Sequence, residues 1–248
     1  MISRGLLLIC SFFIFLSSYA QDEVYELRIY HLKFGNSEKP LHDYFQNALI
    51  PALNRHGVKS VGAFEEASAT LPKKLYLLIP YASAQDYANM PVELRKDEQY
   101  QAAAKAFWSI SPEKFPYQRY ETSVMKSTTG FPQLKTPSED AQFFELRTYH
   151  GYNEDALRRK LKMFNQDEFA IFKNIDFPIV FFGRNIAGDH MPSLTYMLAT
   201  KDKAENADRW QKFGSDADWK RISGMEEYAN TVSNIIQTYL KPLDFSQL

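Results

Sequence analysis

A seven-residue motif that occurs twice sets the strongest limit on the fold of this chain. Residues 25–31 read YELRIYH and residues 144–150 read FELRTYH, and five of the seven positions are identical. The copies lie 119 positions apart, and we expect this spacing to hold from the first predicted strand to the last. Self-similarity of this kind indicates an internal repeat, and its length predicts that each copy is a whole small domain.

Alternation of apolar and polar residues in the motif predicts a β-strand with two different faces. In the first copy the apolar face holds Tyr25, Leu27 and Ile29, and the polar face holds Glu26, Arg28 and Tyr30. In the second copy the polar face holds Glu145, Arg147 and Tyr149.

The residues that follow each motif predict the same order of elements. In the first copy, apolar residues at three- and four-residue spacing predict a helix that Gly57 ends, with Pro51 expected to kink it or end its first part. In the second copy Asp176 takes the place of Gly57, and Tyr239 takes the place of Tyr120 in the last strand. The first copy has predicted strands at 58–66, 74–80 and 117–125, with a helical segment at about 84–108. Each copy therefore has the order βαββαβ, the split βαβ arrangement.

The N-terminal residues predict a signal peptide, and the repeats fill the rest of the chain. Arg4 precedes an apolar run at 5–16, and Ser18-Tyr19-Ala20 offers small residues for cleavage, so residues 1–20 are expected to be removed. A membrane anchor is the alternative, but the run is shorter than the roughly 20 residues that a spanning helix needs. The mature chain is expected to be periplasmic or secreted, without a membrane span. Its predicted parts are a first repeat at 21–125, a linker rich in Ser, Thr, Pro and Gly at 126–140, and a second repeat at 141–248.

The composition excludes several classes of protein. Cys10, the single cysteine, lies in the predicted signal peptide, so disulfides, cysteine metal sites and thiol catalysis are excluded in the mature chain. Without Arg4 the chain carries 28 basic and 30 acidic side chains, and this balance predicts no binding to nucleic acid. The common motifs for dinucleotides, nucleoside triphosphates, zinc proteases and serine hydrolases are absent from the sequence. The histidines lack ligand spacing, so neither a metal nor a cofactor is expected.

Two repeats in one chain solve a packing problem that one repeat has. A four-stranded sheet with helices on one face leaves its other face bare. Two such sheets can pack face to face or close edge to edge into one barrel. The expected fold class is α+β, with two ferredoxin-like βαββαβ repeats forming an intramolecular pseudo-dimeric α/β barrel. The alternative is that each repeat pairs with a repeat of another chain, and a homodimer stays open.

Three features together resemble the NIPSNAP family. These are the Tyr-Glu-Leu-Arg-x-Tyr-His motif, the βαββαβ order and an Asp-x-x-aromatic motif that begins at Asp97 and at Asp216. The resemblance covers residues 23–125 and 142–246, so it implies two tandem NIPSNAP-like repeats of the dimeric α/β-barrel superfamily. That superfamily includes cofactor-free monooxygenases, haem-dependent enzymes and stress-responsive proteins. The resemblance therefore implies the fold and leaves the function to the site.

The polar faces of the two motif strands provide the candidate ligand-binding residues. If the apolar face meets the helices, the polar face looks into the barrel. The structural interpretation is that each Glu pairs with an Arg across the barrel, because buried charges need partners. The functional interpretation is a polar cavity for a small organic anion, with Arg holding a carboxylate, Tyr donating a hydrogen bond and Glu acting as a base. The residues concerned are Glu26, Arg28, Tyr30, Glu145, Arg147 and Tyr149.

Two classes of function stay open at this point. The first is an exported NIPSNAP-domain protein that acts as a small-molecule-binding or protein-interaction module. The second is a cofactor-free or haem-type enzyme, monooxygenase-like, that uses the Glu/Arg/Tyr set inside the barrel. An open pocket lined by that set favours ligand chemistry, whereas a barrel plugged by Tyr and Phe side chains favours the interaction module.

Overall fold

The computed structural model describes residues 22–69 and 71–248. The predicted signal peptide, residues 1–20, lies outside the described residues. Within the described residues, no helix is long and apolar enough to cross a membrane.

Eight strands, all within the described residues, close into one antiparallel barrel that both repeats build. Around the barrel they follow the order β1-β3-β2-β8-β5-β7-β6-β4. The strands are β1 (Val24–Leu32), β2 (Gly62–Glu66), β3 (Lys74–Tyr81), β4 (Tyr117–Ser127), β5 (Phe143–His150), β6 (Ile179–Ala187), β7 (Ser193–Thr200) and β8 (Asn234–Pro242). The repeats join edge to edge, because β2 pairs with β8 and β4 pairs with β6. This arrangement confirms the predicted pseudo-dimeric α/β barrel within one chain.

Helices cover the outer face of the barrel, with one set in each repeat. The first set contains α1 (Lys39–Tyr44), a π-helical segment (Phe45–Leu49), α2 (Ile50–Arg55), α3 (Ala84–Lys96) and α4 (Glu98–Trp108). The second set contains α5 (Glu154–Met163), a π-helical segment (Phe164–Glu168), α6 (Phe169–Asn174), α7 (Lys203–Ser215) and α8 (Ala217–Ser223), followed by a 3-10 turn at Glu226–Tyr228.

The buried apolar side chains form three cores, one inside the barrel and two between the sheet and the helices. The interior core draws on both repeats, and Tyr25, Phe64, Phe144 and Phe181 are fully buried in it. Each helix-side core belongs to one repeat. Side chains normally fill the interior of an eight-stranded barrel. The interior of this barrel is accordingly plugged, mainly by aromatic and aliphatic side chains.

Local signals place the helix ends where the sequence predicts them. Gly57 and Asp176 follow the first helical segment of each repeat in the left-handed region, with φ of +89° and +55°. Asp97 and Asp216 cap α4 and α8 by accepting a hydrogen bond from the backbone N–H of the aromatic residue three positions on. The Asp-x-x-aromatic motif is therefore a helix N-cap, and it divides the helical segment predicted at 84–108 into α3 and α4.

The first helical segment of each repeat changes to π geometry at the same place. The two π-helical segments, Phe45–Leu49 and Phe164–Glu168, stand at the repeat spacing. Pro51 follows the first of them, but Ala170 holds its place in the second repeat. Proline therefore does not cause the change of geometry. Pro51 lies in the first turn of α2, which runs on to Arg55, so the change of geometry comes just before the proline that was predicted to kink the helix or end its first part.

The last strand departs from the repeat spacing of 119. Arg28 pairs with Thr122 and Arg147 pairs with Gln237, so the last strands correspond at a spacing of 115. The cause is the helix before them, because α4 has 11 residues and α8 has 7, a difference of about one turn. The prediction that Tyr239 takes the place of Tyr120 was therefore wrong.

The segments after β4 and β8 each cross to the other repeat. In the linker predicted at 126–140, the N–H of Lys135 donates to the carbonyl of Val180 at 2.8 Å. The C-terminal residues 243–248 make the corresponding crossing, and the N–H of Gln247 donates to the carbonyl of Val61 at 3.0 Å. The segment that follows the last strand of each repeat is thus hydrogen-bonded to the other repeat.

Candidate functional site

The six predicted site residues lie on the helix side of the sheet. Tyr30 belongs to the helix-side core of the first repeat and Tyr149 to that of the second. Leu27 and Leu146, which point the opposite way, lie in the barrel interior. The prediction that the Glu/Arg/Tyr set looks into the barrel was therefore wrong. Alternation shows that two faces differ, but both faces of this sheet are buried, so the pattern cannot say which one meets the helices.

In the first repeat Glu26 and Arg28 form a two-point ion pair. Arg28 Nε donates to Glu26 Oε1 at 2.7 Å, and Arg28 Nη2 donates to Glu26 Oε2 at 3.0 Å. The hydroxyls of Thr122 and Tyr81 donate to the same carboxylate, each at 3.0 Å. Burial alone lowers the pKa of Arg28, but the charge and hydrogen bond of Glu26, together with Tyr30 and Tyr81, outweigh burial and hold that pKa well above its ordinary value. Glu26 is 3% exposed, so this is a buried and internally satisfied pair.

In the second repeat Glu145 has the same arginine partner but a different set of further donors. Arg147 Nη1 donates to Glu145 Oε1 at 2.6 Å. The helix α7 supplies Asn206 and Trp210, which donate to Glu145 Oε2 at 2.8 and 2.6 Å. Gln237 of β8 donates to Oε1 as well. The Arg147 guanidinium lies over the Trp210 ring, with its Cζ 4.4 Å from the ring centroid.

Both carboxylates are therefore satisfied by groups of the chain itself. Each pairs with the arginine two positions along its own strand, so the predicted pairing across the barrel was wrong. The Tyr149 and Tyr196 hydroxyls are hydrogen-bonded to each other at 2.8 Å, and Tyr30 packs edge-on against Phe45. Arg147 Nε is buried without a hydrogen-bond partner among the described residues. The geometry favours a structural role for these clusters over an open binding site.

The second repeat buries a further ion pair that the motif search missed. Lys160 of α5 donates to Glu168, in the following π-helical segment, and the two residues are 5% and 2% exposed. The Lys160 ammonium also lies 4.8 Å from the centroid of the Phe164 ring. Burial raises the pKa of Glu168, against the opposing effect of Lys160. Comparison of the two repeats could have revealed this pair, because the apolar Leu41 and Leu49 stand at the equivalent positions of the first copy.

A cleft of about 730 Å³ lies between the linker and the second repeat. We call it the linker cleft and define it by Phe131, Lys135, Phe169, Lys173, Phe177 and Lys201. Its floor is aromatic, and Phe131 and Phe177 are 4% and 2% exposed. The linker approaches closely at Gly130, where an added Cβ would lie 2.5 Å from Asn165 Oδ1. The six predicted site residues do not line this cleft.

The charges around the linker cleft are unevenly paired. Three carboxylates line the cleft: Asp176 and Glu205 accept from Arg209 Nη2 at 3.2 and 3.0 Å, and Asp140 is the third. In contrast, the three exposed lysines that define the cleft take part in none of the ion pairs of the described residues. The ammonium of Lys135 lies 4.8 Å from the centroid of the Phe131 ring. Once the two carboxylates held by Arg209 are set aside, the rim presents three ammoniums and the Asp140 carboxylate above an aromatic floor.

The described residues provide no cluster of ligands for a metal, and those of the second repeat provide no fitting site for a haem. In residues 22–69 and 71–248, no group of three or more His, Cys, Asp or Glu side chains could hold a metal ion. His150 stacks on His190 with ring centroids 4.8 Å apart, but His150 lies at a strand end and not between sheet and helices. In the second repeat the space between sheet and helices is packed with Phe164, Phe172 and Tyr196, each at most 2% exposed. The haem-type alternative finds no suitable ligand or space there.

Solved structures share this fold at low sequence identity. A candidate monooxygenase from Fusobacterium nucleatum matches with a TM-score of 0.56 and 13% identity, covering 91% of this chain and 94% of that one. A mutant chlorite dismutase from Candidatus Nitrospira defluvii matches with a TM-score of 0.51 and 9% identity, covering 90% and 91%. A NIPSNAP family protein from Agrobacterium tumefaciens is 20% identical, with a TM-score of 0.39, and covers 43% of this chain and 98% of its own. The first two likenesses show the fold alone.

The sequence itself assigns the family. Among proteins with curated descriptions, none matches this sequence. The family model described as NIPSNAP matches residues 25–112 and 144–247, one span in each repeat. Both spans contain a copy of the seven-residue motif, and together they cover well over half of the chain. The chain therefore belongs to the NIPSNAP family.

Proposed function

We propose that this NIPSNAP protein is an exported binding module that holds a small organic anion in the linker cleft. One observation carries the proposal: three lysines without ion-pair partners, Lys135, Lys173 and Lys201, surround an aromatic cleft. Its volume of about 730 Å³ lies in the range of sites for small molecules.

The chemistry of the cleft selects the class of ligand. A carboxylate, sulfonate or phosphate group gains Coulomb energy from each nearby ammonium, and partial burial weakens the screening by salt. The carboxylates of Asp176 and Glu205 compete little for these ammoniums, because Arg209 already holds both, which leaves Asp140 as the competing carboxylate of the lining. The aromatic floor favours a ligand with a flat apolar body. An amphipathic aromatic anion satisfies both requirements.

The rest of the molecule supports binding over catalysis. The barrel interior is plugged by Tyr, Phe and Met side chains, which is the arrangement expected of a binding or interaction module. The Glu26 and Glu145 carboxylates use their oxygens on internal donors. The proposed binding of an anion therefore depends only on the residues that line the linker cleft.

The test uses an amphipathic aromatic anion, 1-anilinonaphthalene-8-sulfonate, whose fluorescence rises on apolar surfaces. We expect saturable binding that weakens as salt is added. A triple variant with Glu at Lys135, Lys173 and Lys201 should lose at least about tenfold in affinity, about 1.4 kcal/mol.

The matched control replaces three exposed lysines of the first repeat, Lys59, Lys105 and Lys114, by Glu and changes the net charge equally. This control should keep most of the affinity. Equal losses in the two triple variants would show that net charge, and not the cleft, decides binding, and the proposal would fall. A competition series with native metabolite extracts and mass spectrometry then identifies the natural anion.

Export is tested separately. Fractionation of the native cell, followed by N-terminal sequencing, should find the chain outside the cytoplasm with Gln21 as its first residue. An Ala20→Arg variant, which spoils the cleavage position, should accumulate with residues 1–20 attached. A full-length chain in the cytoplasm of the native cell would contradict this part of the proposal.

A further inference from the structure

The last strand of each repeat has one edge that pairs with nothing in the described structure. β8 pairs with β5 from Asn234 to Leu240, but it pairs with β2 only from Leu240 to Pro242. β4 pairs with β1 along most of its length, but it pairs with β6 only from Val124 onward. The segments 234–238 and 117–123 therefore each carry a row of backbone N–H and C=O groups that face away from their single neighbour.

These two free edges differ in how they are protected. Charged side chains on an edge strand discourage pairing with other chains. The β4 edge carries Arg119 and Glu121, and a Glu121 carboxylate oxygen lies 2.9 Å from His31 Nε2. The β8 edge, 234–238, has no charged residue and exposes Ile235 and Ile236 by 42% and 39%. Of the two free edges, the β8 edge is the one that combines free backbone groups with exposed isoleucine side chains and no charged residue.

From this contrast we infer that the β8 edge is a self-association surface, on which β8 of a second copy of this chain pairs antiparallel. The two isoleucines point to opposite faces of the sheet, because Ile235 stands opposite Tyr149 and Ile236 stands opposite Thr148 in β5. A strand added at this edge therefore finds an apolar side chain on each face. The inference does not depend on the linker cleft.

The second copy is favoured as the occupant because the segment is complementary to itself. Antiparallel pairing about a two-fold axis at Ile236 places the two Ile236 side chains together, Ile235 opposite Gln237, and Asn234 opposite Thr238. No like charges meet, and the β-branched Ile236 packs against its own copy at the centre. Such an interface is isologous and closes as a dimer. Five residues form a short edge, so the dimer is expected to be concentration-dependent.

Sedimentation equilibrium of the full chain over a wide range of concentrations tests the inference. The average mass should rise from that of one chain toward that of two. Ile236→Lys should raise the dissociation constant of the dimer at least tenfold, because it places two ammoniums together on the axis. Tyr120→Lys, at a position of the β4 edge that is 48% exposed, is the matched control and should leave association unchanged.

Hydrogen exchange supplies a second readout that does not need a variant. At high concentration, the amides of 234–238 that face away from β5 should become protected, whereas those of 118–122 that face away from β1 should not. A chain that stays monomeric at every concentration would overturn the inference. So would protection confined to another surface, or equal loss of association in Ile235→Lys, Ile236→Lys and Tyr120→Lys.

Discussion

At the scale of single residues, the molecule pairs its buried charges within short distances along the chain. Glu26 and Glu145 each meet the arginine two positions on, and Lys160 meets Glu168 through the π-helical segment. A buried carboxylate without a partner costs free energy. Substituting one member of such a pair therefore lowers the free energy of unfolding strongly, even where the pair as a whole adds little stability.

The first prediction concerns Arg28. Arg28→Met leaves the carboxylate of the buried Glu26 side chain without its cation, so the free energy of unfolding should fall by about 3–5 kcal/mol. Adding Glu26→Gln should recover much of that loss, because it removes the unpaired charge. Chemical denaturation of both single variants and the double variant gives the coupling energy. Arg119→Met, on the exposed β4 edge, is the control and should cost little. Strictly additive effects of Arg28→Met and Glu26→Gln would rule out the paired network.

The second prediction uses the first repeat as a template for the second. Lys160→Leu and Glu168→Leu should each destabilise the chain by about 3–5 kcal/mol, since each strands a buried charge. The double variant recreates the leucine pair that Leu41 and Leu49 form in the first repeat. It should be as stable as the wild type or more stable by about 1–4 kcal/mol. Melting curves of the three variants decide this, and a double variant that is less stable than either single variant would refute it.

At the scale of secondary structure, the π-helical segments are the feature that both repeats keep. Their equivalent positions, one followed by Pro51 and the other by Ala170, show that the surrounding packing sustains this geometry without proline. π-bulges widen a helix locally and carry residues that plain α-helices would place elsewhere. In the second repeat the segment brings Glu168 to Lys160.

The third prediction follows from that equivalence. Ala170→Pro should cost less than about 1 kcal/mol, because the first repeat already accepts proline at this place. Ala103→Pro, at an equally exposed alanine in the middle of α4, is the matched control and should cost about 3 kcal/mol. Urea denaturation measures both. Similar losses in the two variants would show that the π-helical segment gives no special tolerance.

At the scale of the whole molecule, the two repeats are interlocked and should unfold together. They share two strand pairs, and the C-terminal segment 243–248 crosses to the first repeat. There, Val61 N–H donates to Gln247 Oε1 at 2.9 Å and Ala63 N–H donates to Ser246 Oγ at 3.0 Å. Neither repeat keeps all its hydrogen bonds without the other.

The fourth prediction removes residues 243–248. The backbone N–H groups of Val61 and Ala63 then lose their partners at positions that are fully buried in the intact chain. With about 1–3 kcal/mol for each unmet group, the free energy of unfolding should fall by at least about 2 kcal/mol. Calorimetry should still find one cooperative transition, in the truncated chain as in the intact one. Two separate transitions would show that the repeats fold independently.

The sequence by itself determined the repeat, the order of its elements, the family and the helix ends. These properties depend on local chemistry, such as the left-handed positions of Gly57 and Asp176 and the capping by Asp97 and Asp216. It also identified the residue types of the two buried Glu–Arg pairs.

Only the tertiary structure decided which face of the motif strand meets the helices, because both faces are buried and alternation has no direction. Only the structure showed that α8 is one turn shorter than α4, which moves β8 to a spacing of 115. The linker cleft and the free β8 edge were likewise invisible in the sequence. Both depend on whether segments that are distant in the chain come into contact, and a local sequence pattern does not predict such contacts.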